Sequence, residues 1–173
     1  MRDAVWQPVF IGIGSNLDGP REHVAKAFVE LGEVSATCVV SRSPCFYSDP
    51  VGPPGQPDYV NAVVGLLTQL EPEALLDALH EVEQRHDRRR DGERWGARTL
   101  DLDILAFGNQ VIRSARLTVP HPELSRRAFV LVPWRAIAPD FMVPDNGRVA
   151  TLAQQVDHGT LRRINDETPR GVA

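Results

Sequence analysis

Patterned segments follow one another along this chain as strand, helix, strand, strand, helix, strand. That order predicts an α+β fold: a ferredoxin-like split β-α-β sandwich with an antiparallel sheet, helices on one face and long mobile loops. Three observations carry the prediction. Apolar and β-branched runs are bounded by Gly, Pro and Asn; two stretches between them repeat apolar residues at helical spacing. The 173 residues, 42% hydrophobic and 24% charged, suit one domain with its own core.

The elements follow in order. Val9 to Gly14 reads as a buried strand ending in Gly14-Ser15-Asn16. A helix runs from about Pro20 to Leu31, with Val24, Ala27, Phe28 and Leu31 on one face, Asp18 as the expected cap and Pro20 in the first turn. Residues 36–47 read as extended, with an irregularity at Pro44. The stretch DPVGPPGQP at 49–57 is too rich in turn formers for regular structure. A strand resumes at Asp58 and runs to Thr68. The second helix opens at Pro72 and continues to about His86, with Leu75, Leu76, Leu79 and Val82 at helical spacing.

Next comes RHDRRRDGERWGAR at 85–98, six arginines against three acids and so locally basic. Leu100 to Phe107 alternates as a strand should, Gly108-Asn109 signals a hairpin, and Val111 and Ile112 would be its short return. Short helical stretches fit 122–138. From about residue 142 to 173 the pattern is weak, so the core is expected over about 9–141, with an extra C-terminal segment.

Composition narrows the function. The formal net charge of −4 argues against a generic nucleic-acid binder, which gains affinity mainly by neutralising phosphates. No run approaches the roughly 18 apolar residues of a membrane span, and the start MRDAVWQPVF lacks the layout of a signal peptide. A cytoplasmic protein without membrane or nucleic-acid partners is expected. Cys38 and Cys45 show no metal-ligand spacing and are expected to be buried or half-buried thiols.

Asp101-Leu-Asp103 is the sharpest chemical feature. On a strand both carboxylates project from one face, while Leu100, Leu102 and Ile104 point to the other. Paired carboxylates repel unless a cation or proton lies between them, and the spacing suits magnesium shared with substrate phosphates. A solvated sheet face also carries such a pair, but the arginine-rich loop ending at Arg98 favours phosphate chemistry. Metal on one side and guanidinium on the other is what phosphoryl transfer requires. Trp95 supports this, since a purely solvated loop gains nothing from an indole.

Tyr59 and Asn61 share a strand face as well. An aromatic ring beside a carboxamide suits a flat heterocycle with mixed donors and acceptors; a core tyrosine and a turn asparagine are the plainer alternative. Gly12-x-Gly14 lacks the third glycine and the β-α-β context of a dinucleotide fingerprint, and no Walker A sequence occurs. His121, in Val-Pro-His-Pro, is either structural or a phosphate contact. Two rival functions exist: a D-x-D sugar-nucleotide transferase needs a larger nucleotide-binding sheet, and an RNA-binding module needs a basic domain with paired sheet aromatics.

Read together, these residues resemble one family, 6-hydroxymethyl-7,8-dihydropterin pyrophosphokinase of the folate pathway. The matching pieces are Ile13 to Leu17, Phe46-Tyr47, Gln56 to Asn61, the long run Glu93 to Ile104, Leu117 to His121, and Arg127 to Phe129. The resemblance spans about 9–141 and implies a single pterin pyrophosphokinase domain of the ferredoxin-like fold. It implies transfer of diphosphate from ATP to the pterin's hydroxymethyl group with release of AMP.

Carried over by motif, Asp101 and Asp103 would hold two magnesium ions, and Arg88 and Arg98 would engage the phosphates. The pterin would lie between Tyr59 and Phe129, with Asn61, Ser48, Pro50 and Val51 at its polar edge and Trp95 beside it. The ATP side would comprise His80, Glu83, Arg88, Arg90, Arg94, Trp95, Arg98, Ile104, Arg116, Thr118, His121 and Arg127. A monomer is expected, and the chain's length leads one to expect an unfused form. His80, Asp91 and Pro122 stand where a glutamine, a lysine and an aromatic are common in the family.

Overall fold

The computed structural model describes residues 3–50, 52, 54–86 and 99–165. The first strand, β1 (Gln7–Ser15), leads into helix α1 (Pro20–Gly32) and then β2 (Thr37–Arg42), β3 (Phe46–Ser48) and β4 (Tyr59–Thr68). Helix α2 (Pro72–Arg85) precedes β5 (Asp101–Phe107). With a late strand, β10 (Arg162–Arg163), the sheet runs β10-β3-β4-β1-β5, with β2 beside β3 on the same flank of β4, and its pairs are antiparallel. Because β4 lies between β1 and β2, and β1 between β4 and β5, each helix connects two parallel strands split by a third. This is the ferredoxin-like split β-α-β arrangement that the element order predicted.

The alternating apolar residues sort the sheet into two faces. Val9, Ile11 and Ile13 of β1, with Val60, Ala62 and Val64 of β4 and Leu102 and Ile104 of β5, pack against the apolar stripes of α1 and α2. Those stripes are Val24, Ala27, Phe28 and Leu31 on α1, and Leu75, Leu79 and Val82 on α2, as the helical spacing predicted. The opposite face carries Phe10, Val63, Leu105 and Ala106, and helices pack here too, so the expectation of helices on one face is corrected. The helical stretch expected over 122–138 and a helix in the weakly patterned tail bury that apolar face. Helix α3 (Ala128–Ile137), after a short 3-10 turn at Leu124–Arg126, and helix α4 (Val149–Gln155) cover that end of the sheet. Phe10 anchors the contact, its ring 5.2 Å from that of Trp134 and 4.8 Å from that of Phe141.

The remaining strands are short. β6 (Ile112–Arg113) pairs with β7 (Thr118–Val119), and β8 (Met142–Val143) with β9 (Gly147–Arg148). β10 (Arg162–Arg163) adds to the edge of β3, so the weakly patterned tail supplies a strand of the main sheet.

Several expectations are corrected. Asp18 does not cap α1: it and Gly19 both take positive φ (53° and 81°) to turn the chain out of β1, and the cap position falls on Gly19. The turn at 107–110 forms, but the return strand pairs with β7 rather than β5, so no β5 hairpin results. Strict alternation in β5 breaks where Phe10 faces Ala106 and Ile11 faces Ile104, leaving Leu105 as the extra residue of a bulge. Cys38 is exposed and Cys45 half-buried, because Cys38 lies on the solvent side of β2.

Candidate active site

Helices α3 and α4 leave the other end of their sheet face open, and a cavity of about 490 Å³ lies there. Its floor is β1, whose Gly12 and Gly14 carry no side chain. In register, Gly14 faces Asn61 of β4 on one side and Asp101 of β5 on the other, while Gly12 faces Asp103. The two aspartates and the Tyr59–Asn61 pair, each expected to share a face, thus flank a bare backbone strip in one cavity. A Cβ on Gly14 would lie 3.7 Å from both Asn61 Oδ1 and Tyr59 Cδ1, so glycine is what keeps the floor low.

Behind the floor the site is held by buried polar contacts. Ser15 donates its hydroxyl hydrogen bond to the carbonyl of Thr99, fixing the chain just before β5. The Asn16 amide, 1% exposed, donates to the Pro57 carbonyl at 3.1 Å and reaches Gln56 Oε1 at 3.4 Å, fixing the end of the 49–57 loop. Ser15 and Asn16 therefore tie Thr99 and the end of the 49–57 loop to one strand end. Asn61 donates to Ser48 Oγ at 2.7 Å and to the Phe46 carbonyl at 3.3 Å, which positions Ser48 at the wall. Outside the sheet plane, the Glu83 carboxylate accepts the N–H of Leu102 at 2.9 Å, between the two aspartates on the edge strand.

The far wall comes from the segment after β7. His121 donates its backbone N–H to the Leu105 carbonyl at 3.0 Å, and its ring Nδ1 accepts the N–H of Glu123 at 3.1 Å. That bond leaves the proton of the neutral ring on Nε2. Burial first, and then the Arg127 guanidinium, push the His121 imidazole down to about 4, against the opposing pull of Asp101 and Glu123. Arg126, Arg127 and Phe129 complete the wall, with the Arg127 guanidinium 5.6 Å from the Phe129 ring centre.

Ser48, Tyr59, Asn61, Asp101, Asp103, His121, Arg127 and Phe129 of the expected site line this cavity. Pro50 does not. Ile104 is a core residue, and Glu83 is 1% exposed and engaged with β5 rather than lining the cavity. Arg116 pairs with Asp77 and, at 3.6 Å, with Glu73 on α2; Thr118 is exposed on β7, and His80 is half-buried on α2. These residues, expected on the ATP side, thus lie along α2 and beside β7 rather than in the cavity. Val51, Arg88, Arg90, Arg94, Trp95 and Arg98 lie outside the described residues.

Gly12, Gly14, Glu123 and Arg126 line the cavity without having been singled out as site residues, and Asp49, inside the Ser48–Val51 segment expected at the pterin edge, lines it as well. The glycines were readable by the same period-two argument as the aspartates, had the neighbouring strands been known.

The family model for 7,8-dihydro-6-hydroxymethylpterin-pyrophosphokinase matches residues 10–139. The chain belongs to this family. A pyrophosphokinase of 2-amino-4-hydroxy-6-hydroxymethyldihydropteridine from Pseudomonas aeruginosa is 47% identical over 91% of this chain and 97% of its own length. One from Haemophilus influenzae is 43% identical over 88% of this chain and 96% of its own length. The fold also matches a Plasmodium falciparum HPPK-DHPS crystal structure with a TM-score of 0.69 at 11% identity, covering 89% of this chain and 45% of that longer one. No described helix is long and apolar enough to cross a membrane.

The histidines of this pyrophosphokinase-family chain make its stability pH-dependent. An unfolded histidine takes up a proton below about pH 6.5. His121 resists until about 4, and His23 is also held below its ordinary value, by burial, by His86 and by Lys26. Between those limits the unfolded state binds more protons, so stability is full above about 6.5 and declines as pH falls toward about 4. Urea midpoints of the ligand-free protein should drop from neutral to mildly acidic pH, and His121→Gln should flatten that slope. An unchanged slope in the variant would contradict the assignment to His121.

Proposed function

We propose that this chain transfers diphosphate from ATP to the hydroxymethyl group of 6-hydroxymethyl-7,8-dihydropterin, releasing AMP, in folate biosynthesis. One observation carries the assignment to this cavity: a glycine floor with a heterocycle wall on one flank and paired carboxylates on the other. Tyr59 and Phe129 hold the pterin ring, while Asn61 and Ser48 read its polar edge. The carboxamide can give one donor and one acceptor to a mixed edge.

Asp101 and Asp103 fit magnesium by the chemistry of their donors: two adjacent carboxylates at a cavity face, with no third His, Cys, Asp or Glu grouped with them among the described residues. Magnesium bound this way keeps open positions for phosphate oxygens and neutralises their charge. Two ions shared between these aspartates belong to this reading.

The hydroxyl attacks the β-phosphorus in line, and the protein's main work is positioning. Arg127 and the neutral His121, with its Nε2–H, supply donors toward phosphate oxygens from the wall that also carries Phe129. Arg88 and Arg98 engage the transferring group, and His80, Arg90, Arg94, Trp95, Arg116 and Thr118 form the ATP side, with Glu83 bracing β5 and Ile104 in the core beneath it. Trp95 and Val51 border the pterin. In this reading a single domain over 1–173 acts as a monomer in the cytoplasm, where ATP is available.

The test is AMP release by purified protein given magnesium, ATP and 6-hydroxymethyl-7,8-dihydropterin. AMP and pterin diphosphate should appear in equal amounts, and neither should form without the pterin. ADP in place of AMP, or no turnover, would overturn the reading.

A further inference from the structure

We propose that Arg162, beyond the residues that the family model matches, is a positioning residue for the pterin: it clasps both roots of the loop between β3 and β4. The proposal rests on the functional reading above. The loop leaves the sheet after Ser48 and returns at Tyr59, two residues that line the cavity and pair with each other in register. Arg162 contacts the residue preceding each of them.

Its backbone faces Tyr47 across the β10–β3 pair, and its guanidinium lies 5.8 Å from the centre of the Tyr47 ring. The same guanidinium pairs with Asp58 at 3.1 Å. Tyr47 packs toward the α1/α2 core, on the sheet face opposite the cavity. The clasp therefore works from behind the sheet and acts on the pterin only through Ser48 and Tyr59.

The strand that carries Arg162 is itself anchored. Ile164 donates its N–H to the Cys45 carbonyl at 2.9 Å, and its side chain packs against the main core. His158 Nε2 bonds the Ala153 carbonyl at 2.7 Å, tying the preceding turn to α4. β3 has only three residues, so without β10 it would be a very short sheet edge carrying a pocket residue. Solvent sets the scale of the effect. The Arg162 and Asp58 side chains are 53% and 45% exposed, so salt screens their pair and the contribution is a few-fold rather than several decades.

The experiment measures steady-state AMP release by the full chain with Arg162→Ala, Arg162→Lys, Asp58→Asn and the Arg162→Ala/Asp58→Asn double variant. Arg162→Ala should raise the pterin KM by roughly threefold to tenfold, with kcat and the ATP KM within about twofold of wild type. Arg162→Lys should fall between, since it keeps the charge and loses the planar stacking. Asp58→Asn should raise the pterin KM as well, and the double variant should be no worse than the sum of the two.

A pterin KM unchanged in Arg162→Ala and Asp58→Asn would overturn the proposal. So would a parallel rise in both KM values with a lowered Tm, the signature of a merely structural role. If Arg162→Ala fails to fold, Asp58→Asn decides alone. If the wild type itself releases no AMP, the functional reading fails, and pterin binding to the same variants by calorimetry decides the clasp.

Discussion

Asp103→Ala is expected to reduce turnover by more than the roughly 10- to 100-fold typical of losing an outer partner of a metal ligand, while the protein stays folded. The carboxylate faces the cavity beside Gly12, whereas Leu102 and Ile104, its neighbours in β5, provide the core contacts. The strand is held at this point by the Glu83 carboxylate on the Leu102 N–H, which the substitution leaves in place. Asp103 lines the cavity and is not part of the core, so the fold should persist without its carboxylate. Steady-state AMP release across a magnesium titration, with thermal unfolding alongside, checks both halves. Turnover within about tenfold of wild type would remove Asp103 from the metal role, and a large fall in Tm would make the loss structural.

Gly14→Val should abolish pterin binding with little loss of fold. A Cβ at this position meets Asn61 Oδ1 and Tyr59 Cδ1 at 3.7 Å, ordinary contact, so the first added carbon fits. The two γ-methyl groups then rise from the floor into the space between the Tyr59–Asn61 wall and Asp101. Valine suits a central strand, and Gly14 is not among the glycines of positive φ, so the backbone accepts it. A displacement of about 1 Å at a reacting centre costs roughly 100-fold, and a filled floor displaces the ring by more. Calorimetry should detect no pterin binding, while ATP affinity changes far less. Retained pterin affinity would mean that the heterocycle does not lie on this floor. Gly14→Ala, which adds only the tolerated carbon, should be markedly milder.

These two positions differ in how legible they were. Asp101 and Asp103 could be read because strand periodicity is local: residues two apart share a face wherever the strand lies, and the neighbouring Arg98 pointed to phosphate. Tyr59 and Asn61 followed by the same argument. Gly12 and Gly14 obey that periodicity too, yet their role depends on which strands flank β1 and in what register, and no local pattern contains that. Glu83 shows the converse. The resemblance put it on the ATP side, whereas its burial and its bond to Leu102 show a carboxylate bracing the strand that presents the aspartates.

The helical stretch over 122–138 was legible and contains α3, whereas helix α4 and strand β10 escaped for a different reason. Their segments are short, so 3.6- and 2-residue periods have too few repeats to stand out, and they gain structure from packing on a sheet that already exists. Asp18 lost its capping role to a turn whose positive φ the helix pattern does not encode.

From the sequence alone came the split β-α-β order, the two helical stripes, the paired aspartates, the pterin-like wall and the family resemblance, because each is written in neighbouring residues or in a contiguous motif. Tertiary structure alone decided that α3 and α4 cover only part of one sheet face, that two glycines make the floor of the open part, and that Arg162 meets both Tyr47 and Asp58 at the roots of the loop between β3 and β4. The physical reason is that a site is made by the register between strands and the docking of distant segments, and both are set by the burial of a shared core rather than by local preference.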